Sequence, residues 1–98
     1  LTVASSRRVE RVPFADIVAV VGADDYVELR LAGGRRLLHA ARLDRLEAEL
    51  PNSFLRVHRS VIANLDQVRG FERDGGRNRL LTHEGEPLPI SRNRLATA

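Results

Sequence analysis

Two glycine pairs, Gly33-Gly34 and Gly75-Gly76, each separate two segments of strand character, and this limits the chain to short antiparallel hairpins more than any other feature. Ahead of the first pair, Tyr26-Val-Glu-Leu-Arg-Leu31 alternates apolar and polar side chains with the period of two of a strand that buries one face. Glycine supplies the positive φ a tight hairpin requires, so the returning strand is expected over about Arg35 to Ala40. Around the second pair, Gln67 to Glu72 and Asn78 to His83 are strand-like, with Asp74-Gly75-Gly76 as the turn. Glu84-Gly85 turns the chain once more into Glu86 to Ile90. Pro87 and Pro89 there suit an edge strand, because proline donates no ladder hydrogen bond.

The run Ile17 to Val21 (IVAVV) is β-branched, ends at Gly22 and is too short for an ordinary helix, so it reads as a buried strand. Phe54 to Val57 is a further extended segment, followed by a tight turn at His58-Arg59-Ser60 and the apolar stretch Val61-Ile62-Ala63. Only one segment changes period. Leu43, Leu46 and Leu50 recur at helical spacing among Asp44, Arg45, Glu47 and Glu49, which predicts a helix over 42–50 that covers one face of a sheet and ends at Pro51. The expected class is mainly β, with seven or so short strands and one principal helix. Residues 1–7 read as a linker remnant or a loosely held leading strand, and 8–98 as one domain cut from a longer protein.

No stretch approaches the roughly 20 apolar residues that span a bilayer, and no secretory signal is visible. Cysteine is absent, which removes disulfides and thiolate metal sites and fits a cytoplasmic setting. His39, His58 and His83 are too widely spaced to suggest a metal site, so no metal or cofactor is expected. Ser60 lacks a Gly-x-Ser-x-Gly elbow and His58 lies two residues away in the same element, so the chain does not read as an enzyme. The glycine pairs lack the Lys-Ser/Thr ending of a phosphate loop.

The charge is uneven. All 16 basic residues are arginine, a pattern that a GC-rich genome also produces. Residues 1–55 carry eight Arg against eight acids, and residues 56–98 carry eight against five, which accounts for the whole net charge of +3. Arg56, His58 and Arg59 cluster at one bend and Arg92, Asn93 and Arg94 at another. Arginine donates two hydrogen bonds to guanine and asparagine can pair with adenine, so these clusters suit DNA. The same arginines also suit solvated loops or pairing with acids such as Glu84 and Glu86, the reading that composition alone favours. Of the four aromatics, Phe14, Tyr26, Phe54 and Phe71, three are expected in the core, which leaves no stacking platform for RNA or single strands.

The run Phe54-Leu-Arg-Val-His-Arg-Ser-Val-Ile-Ala-Asn-Leu65 resembles the central signature of the LytTR family of DNA-binding domains. It is flanked in order by Asp16-Ile17, by Asp25-Tyr26-Val27, by the leucine helix and by Leu88-Pro-Ile-Ser-Arg92, which is similar to the terminal "PVSR" element of the family. The resemblance spans about residues 8 to 95. Val61 departs from a frequent tyrosine and Ala63 from a frequent valine.

The resemblance implies an elongated arrangement of small antiparallel sheets that inserts loops into successive major grooves. It implies sequence-specific binding of double-stranded DNA by the output domain of a bacterial transcription regulator. The usual host is a two-component response regulator with an N-terminal phospho-acceptor domain, sometimes a membrane-anchored sensor, bound as a dimer to direct repeats in promoters. Carried over by position, the DNA-facing loops are those at Asp25 and Tyr26, at the bend of His58 and Arg59, and at Arg92 and Asn93; Arg56 and Arg94, from the two arginine clusters, are expected to join them. Arg59 and Arg92 are assigned to base edges. His58 either contacts DNA or pins its bend through a backbone hydrogen bond, and Asp25 either accepts from a cytosine amine or serves turn chemistry. Ser91 is expected to cap a short terminal helix. The alternative is a small β-domain that binds protein partners through an exposed sheet edge.

Overall fold

The run from Ile17 to Val21 is apolar throughout because its strand is covered on both faces. The computed structural model describes residues 1–5, 7–83 and 85–91. Among them, ten strands and one α-helix follow in chain order. The strands are β1 (Thr2–Ala4), β2 (Val9–Arg11), β3 (Ile17–Ala23), β4 (Tyr26–Leu31) and β5 (Arg36–His39), then, after α1 (Leu43–Glu49), β6 (Phe54–His58), β7 (Val61–Asn64), β8 (Val68–Asp74), β9 (Arg77–Thr82) and β10 (Leu88–Ile90). They form three antiparallel sheets, β1-β2, β5-β4-β3-β7-β6 and β10-β9-β8. The overall extents of 42 × 25 × 22 Å make the molecule elongated.

The five-stranded sheet lies in the middle. One face, with Ile17, Val20, Val27, Leu29, Leu31 and Ile62, packs with Leu43, Leu46 and Leu50 and with Val3 and Val12. The other face, with Ala19, Val61 and Ala63, packs with Val57 and with Leu80, Leu88 and Ile90 of the three-stranded sheet. A strand buried on both faces shows a continuous apolar run instead of alternation. The β3–β4 register slips between Ile17 and Ala19, and this bulge puts Ile17 on the same side as Val20.

α1 forms where the leucine spacing predicts it, with Leu43 and Leu46 buried. Its last turn closes with the Leu50 N–H donating to the Leu46 carbonyl at 2.9 Å, and Pro51 follows. The helix comes so close to β3 that a Cβ at Gly22 would lie 3.1–3.2 Å from Leu43 side-chain atoms. β10 is an edge strand with Pro89 exposed, as the prolines imply.

Two expectations need correction. Thr2–Ala4 is neither linker nor loose: it pairs residue by residue with Val9–Arg11, the Leu1 amine donates to the Val12 carbonyl at 2.8 Å, and Val3 is in the core. The aromatics are not mostly core. Phe14, Tyr26 and Phe71 are 39%, 47% and 41% exposed, and Phe54 is half-buried with its ring edge-to-face against Phe14. Aliphatic side chains fill both interfaces, so the rings sit at the margins. No helix among the described residues is long and apolar enough to cross a membrane.

Candidate nucleic-acid interface

The strand registers carry three turns and one strand end to the same end of the molecule. Ala23 pairs with Tyr26, so Asp24 and Asp25 are the turn between β3 and β4, with Asp24 at a φ of 30° that aspartate tolerates better than most residues. His58 pairs with Val61, so Arg59 and Ser60 form the turn between β6 and β7. These two turns are joined, because the Gly22 N–H donates to the Ser60 carbonyl at 2.8 Å. β10 ends beside them, with the Ser91 N–H donating to the Val57 carbonyl at 2.8 Å. The β8–β9 turn, closed by the pair Asp74 and Arg77, shares a groove with His58 and Ser91. At the far end lie the 3-10 turns Phe14–Asp16, Ala32–Gly34 and Leu65–Gln67.

Arg56 holds the Arg59-Ser60 turn in place. Its side chain is only 12% exposed, and its guanidinium bonds to Asp44 at 2.7 Å and Glu47 at 3.1 Å on α1. The same group donates to the His58 carbonyl at 3.3 Å and to the Arg59 carbonyl. Its planar fork therefore clamps helix to turn, a structural role that the arginine cluster in the sequence did not reveal. His58 likewise turns inward. Its Nδ1 accepts from the Ser60 N–H at 3.2 Å and lies 2.9 Å from Ser60 Oγ, the backbone pin that was one of its two readings. A few residues on, the Asn64 side chain donates to the Ile17 carbonyl at 2.8 Å and accepts from the Asp66 N–H at 3.1 Å.

What points outward is Arg59. It is exposed, and no carboxylate among the described residues forms an ion pair with it. Asp25 and Tyr26 are exposed at the neighbouring turn. Arg92, Asn93 and Arg94, and the helix that Ser91 was expected to cap, lie outside the described residues, which stop at Ser91 next to the bend. Sequence reasoning did not single out two other arginines at this end. Arg42, just ahead of α1, lines a groove of about 290 Å³ with Gly22, Asp24, Arg59 and Ser60. Arg77, with Asn78, lines the groove beside His58. Arg77 follows Gly75-Gly76 directly, so attention to arginines at glycine turns would have found it.

α1 is poorly placed to be the reading element. Its apolar stripe is buried, and the acids on its exposed side, Asp44, Glu47 and Glu49, face Arg56 and Arg45, which leaves no surplus of positive charge there for phosphate. Fold and surface thus define a β-sheet domain that presents turns, with its helix used as a cover. Residues 7–98 match the LytTR family, described as the LytTr DNA-binding domain, and the chain belongs to that family. It is similar in fold to a solved LytTr DNA-binding domain from a Bacillus cereus protein described as a methyl-accepting/DNA response regulator. That likeness has a TM-score of 0.86 at 24% identity and covers 99% of this chain and 90% of the other. No curated protein matches.

Proposed function

We propose that this DNA-binding domain is the output module of a bacterial transcription regulator. In this reading it inserts the turns at residues 24–26 and 58–60 and the segment after Ser91 into the major groove of duplex DNA. Arg59 and Arg92 read base edges, and Asn93, Arg94, Tyr26 and Asp25 contact bases or phosphates around them. Two copies bind paired direct repeats in promoters, and an N-terminal regulatory domain ahead of β1 supplies the signal.

The observation that carries the reading is the double tether of Gly22 to Ser60 and Ser91 to Val57, both at 2.8 Å. It fixes two turns and the exit of the chain to one end of a doubly covered sheet. A rigid scaffold that sets the spacing between contacting groups is what sequence readout requires, because a bidentate arginine–guanine pair tolerates little misplacement. The test is a titration of promoter-derived and random duplexes at two salt concentrations, comparing the parent with an Arg59→Ala, Arg92→Ala variant. The parent binds in a salt-sensitive way and prefers particular sequences. The variant, still folded, loses that preference, with about 1–3 kcal/mol lost per bidentate base contact. Equal preference in parent and variant defeats the reading.

A further inference from the structure

We infer that the β8–β9 turn is a further DNA-contacting element, in which Arg77 takes a backbone phosphate beside the segment that Arg59 occupies. The inference rests on the proposed function and extends it to a hairpin that carries none of the signature residues.

The hairpin carries four arginines and two acids, and its other cations are engaged along the strands: Arg69 donates to the Thr82 carbonyl at 3.1 Å. The two acids, Glu72 and Asp74, both face Arg79: its Nη2 bonds Glu72 and lies 3.8 Å from Asp74 Oδ2. Arg73 sits 5.9 Å from the centroid of the Phe71 ring, further down the strand. Arg77 is exposed at the turn, and no ion pair among the described residues holds it. It lines a groove of about 450 Å³ with His58, Asn78 and Ser91. That groove begins at the β6–β7 bend and ends at the strand from which residue 92 continues. A duplex seated against Arg59 therefore runs its sugar-phosphate edge past Arg77. The register fixes the spacing, because Asn78 pairs with Ile90 and Ser91 is tied to Val57. A lone exposed guanidinium on a rigid turn recognises phosphate whatever the base, so Arg77 contributes affinity and orientation without sequence preference.

The experiment is a salt-dependent titration of a preferred duplex and a random duplex with the parent, Arg77→Ala, Arg77→Lys and Arg59→Ala, each checked for folding by circular dichroism. Loss of one phosphate contact lowers the slope of log Kobs against log salt by about 0.9 and weakens binding about fivefold at 0.15 M salt. In Arg77→Ala this loss is the same for both duplexes, so the preference between them survives, and Arg77→Lys restores most of it. Arg59→Ala loses the preference instead. An Arg77→Ala protein with unchanged affinity and slope overturns the inference while leaving the proposed function intact. A loss confined to the preferred duplex also overturns it, because it marks base reading. A parent that binds neither duplex at low salt sinks the proposed function and this inference with it.

Discussion

The Asn64 side chain, 2% exposed, donates to the backbone carbonyl of Ile17 at 2.8 Å and so bolts the end of β7 to the start of β3. It also accepts from the Asp66 N–H, which starts the 3-10 turn after β7. Replacing Asn64 with Ala leaves a carbonyl and an amide without partners and removes buried volume. The expected loss is about 2–3 kcal/mol of folding stability. Urea unfolding measures it, and a loss below about 0.5 kcal/mol would show that water takes over both bonds.

Arg56 gives a second prediction. Its carboxylate partners Asp44 and Glu47 are largely exposed, so the ion pairs themselves add little, and the bonds to the His58 and Arg59 carbonyls matter more. Arg56→Ala is expected to cost about 1–2 kcal/mol. Amide exchange at Gly22 and Ser60 should accelerate well beyond that in the rest of the sheet. If exchange rises uniformly, Arg56 stabilises the domain without setting the turn.

Gly22 lies against Leu43 too closely for a side chain. Gly22→Ala pushes a methyl to within 3.1–3.2 Å of the leucine and forces α1 outward. A destabilisation of about 1–2 kcal/mol follows, as for other overpacked sites. Thermal unfolding of the parent and variant reads it. An unchanged midpoint would mean that the helix shifts at no cost.

Much of the fold was legible because local pattern and tertiary setting agree. The alternation at Tyr26 to Leu31 became β4, the leucine spacing became α1, and the two glycine pairs became turns with positive φ. β1 was not legible, because Thr2–Ala4 has no pattern of its own and is a strand only through its pairing with Val9–Arg11. The aromatics misled because size suggests burial, whereas two closely stacked sheet interfaces accept Val, Ile, Leu and Ala more readily than rings. At the candidate site, sequence marks arginines but not their partners. Arg56 and Arg59 look alike in the signature, yet one faces two helix carboxylates and two carbonyls while the other faces solvent. Arg77 gave no signal through the family signature, since its place beside His58 depends on the stacking of the three-stranded sheet.

In the proposed function, duplex DNA docks on the end that carries the turns. Mapping backbone amide shifts during titration with a preferred duplex tests it most directly. The largest changes are expected at residues 22–26, 58–60, 74–78 and from 91 onward, with little change at 14–16, 32–35 and 65–67 on the opposite end. Changes centred on that opposite end, or on β5, would contradict it.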